Sequence, residues 1–290
     1  MFLENDPMNI VKSPTLQLTG LHGKPITFDY RHTSAEAKQP LVLFVHGFKG
    51  FKDWGYFNIM ADFFAQNGFA FLKMNFSHNG TTPNSLTDFA DLDAFGNNNF
   101  IKELDDMKVM VDHIHSNQFE LSDKIDMSKI YLIGHSRGGG VALLKTSEDD
   151  RIKAVSTLAA VADIRKVYTE DIIEKWKEEG VLYIENSRTK QQMPLYYQLV
   201  ENTLNNEDRL NIPEAVRKLK KPLFITHGTN DETLPVTMAK ALHHWKPDSK
   251  LCIIDGADHT FGGSHPYTKE TLPVHAKSVL KEIVAFFKSV

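Results

Sequence analysis

The stretch Ile130-Tyr131-Leu132-Ile133-Gly134-His135-Ser136-Arg137-Gly138-Gly139-Gly140 decides the fold. The apolar run Ile130–Ile133, rich in β-branched and aromatic side chains, reads as a buried strand. It leads directly into Gly-x-Ser-x-Gly, and Gly138–Thr146 beyond it has a helical pattern. Glycines two before and two after the serine lack the Cβ atoms that would collide where a chain reverses sharply between strand and helix. Ser136 is therefore expected in a strained turn, its hydroxyl exposed above the edge of a sheet. A phosphate-binding reading of the three glycines fails because no Lys-Ser/Thr pair follows them.

A serine hydroxyl is a weak nucleophile at neutral pH and needs a base within hydrogen-bond reach, itself oriented by a carboxylate. A serine in a turn of this kind takes its acid and its histidine from later loops, in that order. The candidates are Asp231, in His227-Gly228-Thr229-Asn230-Asp231, and His259, in Gly256-Ala257-Asp258-His259. Each lies just after an apolar strand, Leu223–Thr226 and Lys250–Ile254. In a parallel sheet the loops at those strand ends share one edge with Ser136. Taken singly, Asp231 reads equally as the cap of a helix starting near Pro235, and His259 is one of 13 histidines. Asp255 and Asp258 compete as the acid, although a side chain adjacent to His259 in sequence points away from its Nδ1 in most backbone geometries.

Further strands are read at Ile26–Tyr30, Leu41–Val45, Phe69–Phe76 and Ala154–Leu158, and helices at Tyr56–Gln66, Phe100–His115, Val236–His244 and Val274–Lys288. Their alternation implies a mostly parallel sheet flanked by helices on both faces. The first two of these strands, Ile26–Tyr30 and Leu41–Val45, are expected to form an antiparallel hairpin at one edge, with a short connection placed around Gly20–Lys24. From about Asp163 to Leu210 the chain is charged, helix-prone and without a convincing strand. The expected division is a core of residues 1–162 and 213–290 with a helical lid insertion over 163–212. The lid follows the strand Ala154–Leu158, so it is expected to roof the site, with Trp176, Tyr183, Tyr196 and Tyr197 offering flat faces to a substrate. The plainer reading of those rings is that they pack the lid onto the core.

A chain of 290 residues with 41% hydrophobic content can bury one large core. Its net charge of -4 is spread without a basic run, which argues against nucleic-acid or anionic-membrane partners and for a small-molecule substrate. Cys252 is the single cysteine, so neither an internal disulfide nor a cysteine zinc site can form, and its apolar surroundings read as a strand thiol. The stretch Met1–Gly20, broken by Asp6, Pro7 and Pro14, lacks the apolar core of a secretory signal, and a soluble, cytoplasmic protein is expected by default. His113 with His115 and His243 with His244 lack ligand spacing. No metal and no cofactor are expected.

The strand Leu41–Val45 ends in His46-Gly47-Phe48-Lys49-Gly50, a glycine-flexed turn that the topology sets beside Ser136. The backbone N–H groups of Phe48 and Arg137 are therefore assigned as donors to a developing oxyanion. In the alternative, Gly47 merely serves a tight strand-to-helix turn.

With these motifs the chain resembles the α/β-hydrolase superfamily from about Ile26 to Phe287. His46-Gly47-Phe48, Gly134-His135-Ser136-x-Gly138-Gly139, Asp231-x-x-x-Pro235 and Gly256-Ala257-Asp258-His259 resemble bacterial esterases of the cinnamoyl and feruloyl type, and also the catalytic domains of prolyl-oligopeptidase-like enzymes. Similarity to dienelactone hydrolases is weaker, since their nucleophile is a cysteine. The resemblance implies an ester hydrolase working through an acyl-enzyme, oxyanion donors at Phe48 and Arg137, and a lid that shapes the acyl pocket. Arg137 departs from the esterase pattern, where a neutral side chain is expected. The runner-up is a peptidase, although about forty residues before Leu41 are too few for a β-propeller. A non-catalytic binding protein on the same scaffold is the third reading, disfavoured because Ser136, Asp231 and His259 are all present.

Overall fold

The computed structural model describes residues 9–164 and 168–290; positions 1–8 of the N-terminal stretch and 165–167 of the insertion lie outside them. The strands are β1 (Ile10–Lys12), β2 (Leu16–Thr19), β3 (Pro25–Thr33), β4 (Gln39–Val45), β5 (Ala70–Asn75), β6 (Ile125–His135) and β7 (Ile152–Leu158), followed by β8 (Val181–Glu185), β9 (Gln192–Tyr196), β10 (Leu223–Gly228) and β11 (Lys250–Ile254). The helices are α1 (Phe57–Gln66), α2 (Leu92–Gly96), α3 (Phe100–Ile114), α4 (Arg137–Glu148), α5 (Glu170–Glu179), α6 (Gln198–Asn205), α7 (Ile212–Lys218), α8 (Thr237–Trp245) and α9 (Val274–Lys288).

Nine strands form one sheet in the order β1-β3-β5-β4-β6-β7-β10-β11, with β2 paired to β3. The six from β5 to β11 in that order run parallel, and β1, β2 and β5 are antiparallel to β3. Side chains alternate faces along a strand, and here both faces are covered. Leu41, Leu43 and Val45 of β4 pack with Leu104, Met107 and Val111 of α3 and Val141 and Leu144 of α4. Val42 and Phe44 enter the opposite face with Phe57, Met60 and Phe64 of α1 and Val279, Leu280 and Ile283 of α9. Within β6, Ile130 and Leu132 join the first cluster, Tyr131 and Ile133 the second. Burial on both faces is why these strands read as continuous apolar runs. Together these features make an α/β-hydrolase fold.

Two expectations are corrected. Leu41–Val45 does not pair with Ile26–Tyr30, because β5 lies between them. The turn at Gly20–Lys24 instead closes a hairpin between β2 and β3, with Gly20 N–H donating to Lys24 O at 3.0 Å. The insertion is not purely helical either: β8 and β9 form an antiparallel hairpin within it. Pro194, at the centre of β9, removes a ladder donor and disguises the strand in sequence. Cys252, in β11, is a free thiol of intermediate exposure. Among the described residues no helix is long and apolar enough to cross a membrane.

One buried group opposes the fold at high pH. Asp106 of α3 is 1% exposed, accepts the Ser77 N–H at 2.7 Å through Oδ2 and has no partner for Oδ1 among the described residues. Burial, reinforced by the neighbouring Glu103 and Asp105, pushes its carboxyl up to about 7. The folded state then binds a proton more tightly than the unfolded chain between about pH 4 and pH 7, so stability falls as pH rises through that window. Asp106→Asn keeps an acceptor for Ser77 and never ionises. It is expected to be more stable than wild type at pH 8 by about 2–4 kcal/mol, and to lose that advantage near pH 4.5. Thermal melts at the two pH values check this; an equal shift at both contradicts it.

Candidate active site

Ser136 occupies the tip of the β6–α4 turn with φ 54° and ψ −121°, a conformation that costs about 1–3 kcal/mol and persists only where surroundings enforce it. Its N–H donates to Leu158 O at 2.9 Å, and its carbonyl accepts from Gly139 N at 3.0 Å and Val161 N at 3.2 Å. The end of β4 presses on the start of α4: a Cβ on Gly138 would lie 2.3 Å from His46 O and 2.7 Å from Val45 O.

Parallel pairing of β6, β7, β10 and β11 brings the loops after β10 and β11 to this same sheet edge. His259 Nδ1 donates to Asp231 Oδ2 at 2.8 Å, and the Asp231 side chain is fully buried. The other carboxylate oxygen accepts the Thr233 and Leu234 N–H groups at 2.9 and 2.8 Å. Burial alone would raise this carboxyl; the Leu234 N–H, His259 and the Thr233 N–H outweigh it and hold Asp231 below the usual carboxylate range. Asp231 does not cap α8, whose N-cap is Val236. Asp258 is occupied by the Thr260 and Gly262 N–H groups, and Asp255 by the Thr229 hydroxyl. Ser136 and His259 line one cavity. No hydrogen bond joins their side chains among the described residues, and contacts of this type commonly tighten only when substrate binds.

Three supports were not read from the sequence. His227, wholly buried, donates from Nε2 to Leu234 O at 2.9 Å and stands 3.1 Å from Asp231 Oδ2. His135 donates from Nε2 to His259 O at 2.9 Å, tying the serine turn to the histidine loop; burial, with His259 adding, lowers it to about 3 and keeps it neutral. His46 is also held neutral, lowered to about 4 chiefly by burial, and donates from Nδ1 to Gly47 O at 2.8 Å. The motifs already quoted contain all three; their partners become apparent only when the loops converge.

The turn after β4 lies against the serine: a Cβ on Gly47 would be 2.8 Å from Ser136 Cβ. Neither the Phe48 nor the Arg137 backbone N–H donates to a described residue. Beneath the turn, the buried side chains of Lys52 and Lys73 share the carboxylates of Asp29 and Asp53, and the Lys52 N–H donates to Asn75 Oδ1 at 2.6 Å. This cluster pins the segment that continues into Trp54 and Phe57.

The cavity measures about 850 Å³. Phe48, Phe51, Trp54, Phe57, Phe89 and Phe100 supply an aromatic wall from the core, while Ile164, Tyr168, Ile173, Ile184 and Leu199 line it from the insertion. The insertion thus roofs the cavity, but not with the rings expected to face a substrate. Trp176, Tyr183, Tyr196 and Tyr197 are absent from the lining. Trp176 is 1% exposed and donates from Nε1 to Leu195 O at 2.7 Å, holding α5 to the hairpin. Tyr183 is 58% exposed, Tyr196 covers Gly96, and Tyr197 packs edge-on to Trp176. Tyr196 thus packs the lid onto α2 of the core, Trp176 and Tyr197 pack within the lid, and Tyr183 stays exposed. Among the described residues no cluster of three or more His, Cys, Asp or Glu is placed to hold a metal ion.

The sequence model of the BD-FAE family matches residues 29–246. Est1E from Butyrivibrio proteoclasticus is similar in structure, with a TM-score of 0.69 at 18% identity over 96% of this chain and 98% of that one. The ferulic acid-bound form of Est1E gives a TM-score of 0.67 at 20% identity over 94% and 98% of the two chains. The acylaminoacyl peptidase of Pyrococcus horikoshii gives 0.63 at 17% identity over 98% of this chain and 42% of that one. Identities this low establish a shared fold alone. No curated protein sequence matches the chain. On the family match and the fold together, the chain belongs to the BD-FAE family of α/β-hydrolases, as an esterase.

Proposed function

We propose that the chain hydrolyses carboxylic esters through an acyl-enzyme, with Ser136 as nucleophile, His259 as general base and Asp231 as the carboxylate that orients it. Ser136 Oγ attacks the acyl carbonyl while His259 Nε2 takes its proton. That proton then passes to the departing alcohol, and water, activated by the same imidazole, releases the acid. The Phe48 and Arg137 N–H groups receive the oxyanion. The reading rests above all on the 2.8 Å contact of His259 with a buried, ionised Asp231 beside the cavity that holds the strained serine. The aromatic wall suits an aryl or medium acyl group, and hydroxycinnamoyl esters are the first candidates, in keeping with the ferulic acid bound to Est1E.

The test is a panel of p-nitrophenyl esters, methyl hydroxycinnamates and aminoacyl-p-nitroanilides, together with a fluorophosphonate. Esters are expected to be cleaved well ahead of anilides, and the probe to label Ser136. Preferential cleavage of anilides would make the chain a peptidase, and loss of labelling at Ser136 would remove the mechanism.

The segment 163–212 is proposed as a lid that sets acyl preference. Its aromatic contact with the cavity is Tyr168, which also packs edge-on to Trp176 at 5.1 Å. Tyr168→Ala is expected to lower kcat/KM for methyl ferulate relative to p-nitrophenyl acetate by about tenfold. Tyr183→Ala, off the cavity, should leave that ratio unchanged. Equal behaviour of the two variants would reduce the lid to a structural cover.

A further inference from the structure

We propose that the Arg137 guanidinium is a binding site for a carboxylate on the acyl part of the substrate, so that monoesters of dicarboxylic acids are the class this cavity favours; the inference rests on the serine-esterase reading above. Arg137 directly follows Ser136, and it lines the cavity. Its side chain is 12% exposed and its orientation is fixed on two sides. Nε donates to Glu103, at 3.0 Å from Oε1 and 3.1 Å from Oε2, and Asn98 Nδ2 holds that carboxylate in turn at 2.8 Å. The guanidinium carbon stands 4.0 Å from the centre of the Phe100 ring and 5.7 Å from that of Phe48.

This arrangement uses one edge of the guanidinium and leaves the other. Among the described residues neither the buried Nη2 nor Nη1 has a hydrogen-bond partner. A purely structural ion pair with Glu103 would not call for a desolvated, half-satisfied guanidinium beside the nucleophile, because apolar side chains of similar volume commonly replace buried ion pairs without loss of stability. A rigid planar fork with free N–H groups matches a carboxylate in bidentate geometry, which a lysine or an amide does not reproduce.

Although the chain carries a net charge of -4, among the described residues the cavity lining contains Lys49, Arg137 and Arg188 against a single carboxylate, the exposed Glu207. Arg188 is paired with Asp88 at 3.0 Å, and Lys49 reaches only the Glu185 carbonyl at 3.4 Å. With Arg137 paired to Glu103 and Arg188 to Asp88, a second carboxylate on the acyl group would be recognised by the geometry of the guanidinium fork rather than by a net positive field, while the alcohol part of the ester needs no such partner.

Two matched pairs of substrates test the inference: monomethyl adipate against methyl hexanoate, and methyl 4-carboxycinnamate against methyl cinnamate. Acid release is followed in a pH-stat for wild type, Arg137→Met, Arg137→Lys and Lys49→Met. Wild type is expected to favour the carboxylated member by about tenfold or more in kcat/KM. Arg137→Met should abolish the preference, and Arg137→Lys should keep part of it. No preference in the wild type overturns the proposal, whether or not the Arg137 variants fold. So does a preference that survives Arg137→Met, or one that disappears only in Lys49→Met, which would place the anion at Lys49. Fluorophosphonate labelling of Ser136 and wild-type turnover of p-nitrophenyl acetate report on the esterase reading separately: if both fail, that reading has failed, and if both hold without a carboxylate preference, only the Arg137 site has.

Discussion

Ser136→Ala is expected to lower kcat for a p-nitrophenyl ester by about 10⁴- to 10⁶-fold, with His259→Ala comparable and Asp231→Ala somewhat milder. In the proposed mechanism the three act as a unit: without the hydroxyl no acyl-enzyme would form, and without the imidazole the hydroxyl would keep its proton. Loss of Asp231 leaves the imidazole in place but frees its tautomer and orientation. The structure adds a reason for the smaller effect. His259 is also tethered through its backbone, where its carbonyl accepts from His135 at 2.9 Å, so the loop keeps its course when the carboxylate is gone. Combining Ser136→Ala with His259→Ala should cost little beyond either alone. Steady-state kinetics on purified variants check this, and a Ser136→Ala protein that turns over p-nitrophenyl acetate near the wild-type rate would exclude the mechanism.

What the sequence made legible follows from how local each signal is. The central strands declare themselves because both faces of Leu41–Val45 in β4 and of Ile130–Ile133 in β6 are buried, so each of these positions is apolar. The convergence of Ser136, Asp231 and His259 is legible because each lies in the loop that leaves β6, β10 or β11, and parallel topology sends those three loops to one edge. The hairpin in the insertion is hidden in the sequence because Pro194 interrupts one strand, and the other, Val181–Glu185, is only partly buried. At the antiparallel edge β1 and β2 are too short to show a period, so the sequence does not reveal that the Gly20–Lys24 turn joins β2 to β3.

The lid aromatics illustrate a different loss of information. Composition shows that Trp176, Tyr183, Tyr196 and Tyr197 are present, but which side of the lid each occupies depends on the packing of α5 against β8 and β9. Trp176 points inward because its indole N–H finds the Leu195 carbonyl at 2.7 Å. Phe51, Trp54 and Phe89, which do line the cavity, come from the loops after β4 and β5. Arg137 stood out in sequence as a departure from the pattern. Its partner Glu103 lies a full helix away on α3, and only the packing of α3 against α4 joins them.

Gly138→Ala is expected to damage the site although it adds a single methyl group. The added Cβ would lie 2.3 Å from His46 O and 2.7 Å from Val45 O, and both obstacles are backbone atoms of a strand end in the centre of the sheet. A flexible side chain could turn aside, but β4 is held between β5 and β6 and cannot. Relief must come from moving the start of α4 away from the turn that carries Phe48, and both proposed oxyanion donors sit on those two segments. Displacement of one such donor costs about 10² to 10³ in kcat, and a misplacement of about 1 Å in a positioned group has an effect near the lower end of that range. Gly138→Ala is therefore expected to lose kcat by about 10²- to 10³-fold with a small change in KM, and to melt below wild type by several degrees through overpacking of about 1–3 kcal/mol. Circular dichroism at a temperature where the variant is folded separates the two effects. A folded Gly138→Ala protein with kcat within about threefold of wild type would show that the contact between β4 and α4 does not set the oxyanion geometry.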